Sequence, residues 1–177
     1  MRISRGPTRK ILVENDAEIV GNTLRIVRDF ACSRDRLWAA WIAPTALIEW
    51  FGPEHDPASE FTADVRAGGS WRACLRSAAD GRRLWVSGLY REIIPQERIV
   101  FTFRWEGTGH EDGPGVETLV TLTFMSQTAE LTRLVLCHEG LASNASAEGH
   151  TDGWLSCLRR LESYLLELSP SSETFRS

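Results

Sequence analysis

The sequence predicts an α+β domain in which a curved antiparallel sheet wraps a long C-terminal helix, with two short helices after the first strand. Two patterns predict it. Between residues 61 and 139 short runs rich in Val, Ile, Thr and aromatics alternate with Gly, Pro and Asp turn signals, the mark of an antiparallel meander. After His150 the period changes, and Trp154, Cys157, Leu158, Leu161, Leu165 and Leu168 fall at i, i+3, i+4 spacing, one face of a helix. A sheet with one apolar face and a helix with one apolar stripe must bury them against each other.

The elements follow in order. Residues 1–22 read as a tail or an extra strand, since ILVE and EIV flank Asn15-Asp16. TLRIVRDF, from Thr23, is a strand. Ser33 is a helix N-cap, and Leu37, Trp38 and Trp41 then share one helical face. Pro44 interrupts that helix, TALIEW continues for a turn or two, and Phe51-Gly52-Pro53 ends it. The strand runs FTADVR, SWRACLRS, RLWVSGLYREII, RIVFTFRW, ETLVTLTFM and LTRLVLCHE follow. In the fourth of them Ile99, Phe101, Phe103 and Trp105 share one parity against Thr102, Arg104 and Glu106, as expected of a sheet covered on one side. ASNASAEG is small and polar and reads as a connection to the final helix, from His150 to Leu168. The domain is thus placed at residues 23–168, with a tail at 169–177.

Composition bounds the function. A chain of 177 residues holds one domain, and 42% hydrophobic with 25% charged residues is ordinary globular usage. The net charge of -4 supplies no positive field for nucleic acid. The basic start MRISRGPTRK leads into a stretch broken by Glu14, Asp16 and Glu18, so neither a signal peptide nor a membrane span is expected. Cys32, Cys74, Cys137 and Cys157 are widely spaced, which fits reduced thiols in a cytoplasmic protein. Seven Trp and seven Phe are the compositional oddity, and such side chains fill a core or line a cavity.

Most catalytic and cofactor patterns are missing. Gly107, Gly109 and Gly113 lack the dinucleotide spacing and no helix follows them, so no cofactor is expected. His150 with Glu139 and Glu148 has no metal-site spacing, and His110, Glu111 and Asp112 read as a solvated hairpin tip, so no metal is expected. No nucleophile elbow is present. Arg72, Arg76 and Arg91 share a parity that suits either an acidic ligand group or surface ion pairs.

Several motifs in fixed order resemble a known family. Trp50-Phe51-Gly52-Pro53, Gly68-Gly69-Ser70-Trp71-Arg72, Gly88-Leu89-Tyr90-Arg91-Glu92-Ile93, Ile94-Pro95-Gln96-Glu97-Arg98-Ile99, Thr118-Leu119-Val120-Thr121, His138-Glu139-Gly140-Leu141 and Gly153-Trp154 are similar to those of the activator of heat-shock protein 90 ATPase homologues. That family belongs to the START-like, or SRPBCC, superfamily. The resemblance implies the helix-grip fold, also called birch-pollen-allergen-like, in which the gap between sheet and helix is in many members a cavity for an apolar molecule. It names no activity, since one fold hosts many functions.

Candidate site residues follow from both readings. Trp71, Trp85, Phe101, Phe103 and Trp105 on the strands are expected to face Trp154, Leu158 and Leu161 on the helix and to line a cavity for a small hydrophobic molecule. Trp38, Trp41, Trp50 and Phe51 are candidates for its mouth. His138 shares the parity of Leu134 and Leu136, which makes it the one candidate for proton transfer in a cyclase-, aromatase- or hydrolase-type enzyme. The third reading is a stress-related co-chaperone or self-associating homodimer that docks a chaperone partner or a second copy through exposed Trp38, Trp50 and Phe51. Gly153 is expected to permit close approach of the helix backbone to its neighbours.

Overall fold

The computed structural model describes residues 16–107 and 115–169. The hairpin tip carrying His110, Glu111 and Asp112, and both chain ends, lie outside the described residues. Strands β1 (Asp16–Val20) and β2 (Thr23–Phe30) form a hairpin, followed by helices α1 (Arg34–Ile42) and α2 (Pro44–Trp50). Strands β3 (Ala58–Ala63), β4 (Ser70–Arg76), β5 (Arg83–Ile94), β6 (Arg98–Glu106), β7 (Thr118–Thr128) and β8 (Leu131–Glu139) then lead to helix α3 (Asn144–Glu167).

One antiparallel sheet results, in the order β1-β2-β8-β7-β6-β5-β4-β3. The meander β3 to β8 pairs neighbours in sequence, and β2 closes on β8 with Leu24 opposite His138 and Phe30 opposite Thr132. Parity decides which side chains enter. Leu24, Ile26 and Phe30 of β2, and Leu134, Leu136 and His138 of β8, are buried, while the alternate positions are at least partly open. Against that face α3, about 36 Å long, lays Trp154, Leu158, Leu161 and Leu165. This is the helix-grip arrangement.

Two boundaries differ from the sequence expectation. Strand β3 begins at Ala58 rather than Phe61, paired with Leu75 through a bulge between Ala58 and Glu60. Helix α3 begins six residues early, at Asn144, and takes in most of the small polar run. Ser143 explains the start, since its hydroxyl accepts from the Ser146 amide at 3.0 Å and Ala147 is fully buried one turn on.

The two short helices are bolted to each other and to the sheet. Ser33 caps α1 as expected, accepting from the Arg36 amide. The Trp50 indole donates to the Ala40 carbonyl at 3.0 Å, and the Trp41 and Trp50 rings meet edge to face at 4.5 Å. Trp38 packs on Phe124 of β7. In the sheet, Gly88 permits one close approach: the Trp71 indole donates to the Thr102 carbonyl at 3.1 Å, where a Cβ on Gly88 would lie 1.8 Å from that oxygen. All four cysteines are free thiols, with Cys32, Cys74 and Cys157 buried. No helix among the described residues is long and apolar enough to cross a membrane.

Candidate functional site

Where α3 begins, it diverges from the sheet and a cavity of about 540 Å³ opens. Its sheet wall comes from inward positions of three strands: Leu75 of β4, Leu84 and Val86 of β5, and Phe103 and Trp105 of β6. Register makes this wall, because Leu75 pairs with Leu84 and Val86 with Trp105. The opposite wall is one face of α3, carrying Ser146, Gly149, His150, Gly153, Trp154 and Cys157. These positions recur at helical spacing. Beyond Gly149 and Gly153 an added Cβ would meet nothing within 4 Å, so each glycine leaves room to the cavity. Gly153 therefore does not serve a close approach of backbones, as the sequence suggested; it leaves the space beside the helix open.

The third side is the loop after α2, from Phe51 through Asp56. Arg160 of α3 fixes it, its Nη1 donating to the carbonyls of Trp50, Phe51 and Gly52 and its Nη2 to that of Glu49. These are the C-terminal carbonyls of α2 and of the chain leaving it, which the helix itself cannot satisfy. Ser156 adds a second tie by accepting from the Glu54 amide at 2.9 Å. Gly52 turns the chain at φ +85°, where a Cβ would lie 2.5 Å from the Asp56 carbonyl oxygen. The Cys157 thiol on the helix wall is pushed up to about 12 by burial, so it stays protonated near neutral pH.

Two imidazoles meet at the cavity, His150 in its lining and His138 buried behind it. The Trp154 indole donates to His138 Nδ1 at 3.1 Å, which makes Nδ1 an acceptor and leaves the proton on Nε2. Nε2 lies 2.7 Å from Thr118 Oγ1, and that hydroxyl donates to the Phe103 carbonyl. Burial, and next the neighbouring His150, hold His138 well below the usual imidazole range. His150 meets His138 edge to face at 4.9 Å, places Nδ1 2.8 Å from the Ser146 carbonyl and accepts from the Trp105 indole at 3.1 Å. His150 faces the cavity, whereas His138 is sealed off with both ring nitrogens engaged.

Residues 31–166 match the model of a protein family described as activator of Hsp90 ATPase homolog 1-like. The chain belongs to that family. Among solved structures, a Chromobacterium violaceum protein is similar at 28% identity over 81% of this chain and 96% of its own, with a TM-score of 0.72. An AHSA1 protein from Silicibacter pomeroyi is 28% identical over 82% of this chain and 98% of its own, TM-score 0.71. A solution structure from Arthrobacter aurescens shares the fold at 20% identity, covering 94% of this chain and 98% of its own, with a TM-score of 0.75. No curated protein matches the chain.

The structure sorts the residues singled out in sequence into four places. Phe103, Trp105 and Trp154 line the cavity, and so does Phe51, expected at its mouth. Trp71, Phe101 and Trp41 surround a separate void of only about 20 Å³ deeper in the grip. His138, Leu158, Leu161, Trp38 and Trp50 belong to the packed core. Trp38, Trp41, Trp50 and Phe51 are 7%, 3%, 0% and 5% exposed, so they form no lid and offer no docking face. Trp85 is a correction: it pairs with Cys74, opposite in parity to Trp71, and lies on the outer face under the Arg72 guanidinium at 3.7 Å. Arg72 pairs there with Glu106, and Arg91 lies 3.6 Å from Glu117, so both arginines serve surface ion pairs.

The sequence reading weighed His150 only as a metal ligand and Gly153 only for a close backbone approach, and it missed Gly149 and the wall residues Leu75, Leu84 and Val86. A signal for the helix wall existed, since Ser146, Gly149, Gly153 and Cys157 share one helical face once α3 is started at Ser143.

Proposed function

We propose that this chain binds a small hydrophobic or aromatic molecule in the cavity between β4–β6 and the first half of α3. The observation that carries this reading is the pairing of aromatic walls with a bare helix face. A cavity of about 540 Å³ falls in the ordinary range for small-molecule sites, and Phe51, Phe103, Trp105 and Trp154 give it flat apolar surfaces. Gly149 and Gly153 support the reading because alanine at either would be the better helix former by about 1 kcal/mol. The enzyme reading through His138 has no such support, because the ring is buried beside Trp154 and both of its nitrogens are occupied. The free thiols favour a reducing, cytoplasmic setting.

The test is a cavity-filling variant. Gly153→Leu places its Cβ in space that is open in the wild type, and a thermal scan is expected to show it folded. The uncharged fluorescent probe N-phenyl-1-naphthylamine is expected to bind the wild type and to lose at least about ten-fold in affinity with Gly153→Leu, the loss expected when a ligand must vacate its pocket. Equal binding by the two proteins, or none by the wild type, would overturn the reading. Native mass spectrometry of the same samples shows any co-purified ligand and counts subunits.

A further inference from the structure

We propose that the ligand of this cavity carries a positive charge, an aromatic or aliphatic amine whose apolar body lies against the indoles and whose ammonium group lies at the rim. The inference rests on the cavity reading above and specifies its ligand class. It stands on the charge of the lining. Two carboxylates belong to residues lining the cavity, Asp56 on the loop after α2 and Asp152 on α3, and no Lys or Arg among the described residues lines it. Asp152 forms no ion pair among the described residues, and the rim imidazole His55 approaches Asp56 only to 3.8 Å.

The arginine that holds the loop wall is already committed. Arg160 spends its guanidinium on the carbonyls of residues 49–52. An anionic ligand would thus enter beside two carboxylates with no Lys or Arg among the described residues of the lining to meet it, and burial of an unpaired charge is costly. An ammonium ion finds the reverse. The two carboxylates neutralise it at the mouth while its apolar body lies against Trp105, Trp154 and Phe103. Along the wall, the imidazole of His150 places Nδ1 beside the Ser146 carbonyl and takes the Trp105 N–H on Nε2.

Three probes with one naphthalene skeleton test this by calorimetry at pH 7: 2-naphthylmethylamine, 2-naphthalenemethanol and 2-naphthoate, charged +, 0 and −. The expected order of affinity is amine, alcohol, carboxylate, with the amine ahead of the alcohol by about five- to ten-fold. The double variant Asp56→Asn/Asp152→Asn should bring amine and alcohol together, while Glu97→Gln/Glu130→Gln, the same charge change outside the cavity, should keep them apart. Naphthoate binding as well as the amine, or an amine preference that survives in Asp56→Asn/Asp152→Asn, would overturn the proposal. If the alcohol binds, is blocked by Gly153→Leu, and the amine shows no advantage, the charge inference fails and the cavity reading stands. If no probe binds, both fail together.

Discussion

The smallest unit that explains this molecule is the chain of polar contacts running from Trp154 through His138 to Thr118 and the Phe103 carbonyl. Every donor in it has one acceptor, so a buried imidazole is accommodated without charge. That arrangement carries a pH signature. Because burial depresses the folded-state value of His138 below the ordinary 6.5, the unfolded chain takes up this proton first as the pH falls. The stability it supports is fully present above about pH 6.5 and is lost on acidification, by up to about 2 kcal/mol between pH 7 and 5. Urea midpoints at the two pH values should show that fall in the wild type and a shallower one in His138→Gln. Identical slopes would mean that His138 titrates normally and that the buried arrangement is wrong. The sequence could place His138 inward by parity alone; that its two nitrogens are consumed by an indole and a hydroxyl depends on partners 16 and 20 residues away. Parity is local and partner choice is not.

At the level of elements, what the sequence made legible was periodicity, and what it concealed was register. Strands β5, β6 and β8 lie where alternation put them, and α1 begins after its Ser33 cap. Trp85 shows the limit. Strand β5 opens with Leu84, Trp85 and Val86, apolar on both parities, so bulk pointed to Trp85, while pairing with β4 sends Leu84 and Val86 inward. A one-residue choice flips every side chain to the other face. Helix α3 was cut short for a related reason: Ser, Ala and Gly carry little hydrophobic signal, though they form a cavity wall. Gly88 offers a direct test of how tightly one strand is specified. Gly88→Ala must displace the Thr102 carbonyl or the Trp71 indole that donates to it. We expect a loss of about 2 to 3 kcal/mol, the cost of a broken buried hydrogen bond with added crowding, in chemical denaturation. A loss below about 0.5 kcal/mol would show that β5 and β6 slide to absorb the methyl group.

Across the whole molecule the grip is unequal along its length. Toward the C-terminal half of α3, Leu158, Leu161 and Leu165 fill the space against β2 and β8, and Arg36 and Arg28 tie the helix to α1 and the sheet through the Leu165 carbonyl and Glu162. Toward the N-terminal half the same helix carries glycines and stands off from β4–β6. The tight end holds the fold while the open end is free to accept a ligand, so occupancy should register as global stability. A bound amine at one hundred times its dissociation constant adds about 2.7 kcal/mol, or roughly 5 to 10 °C in Tm for a domain of this size. A thermal scan should show that rise for the wild type and none for Gly153→Leu; a rise in both would move the ligand outside the cavity.

The two helix glycines set stability and binding against each other. Substitutions chosen for helix propensity would begin at Gly149 and Gly153, each gaining about 1 kcal/mol as alanine with no neighbour to obstruct it. Such a protein would melt later and hold less. In any effort to harden this scaffold, these are the two positions where a rising melting temperature is a warning of lost function.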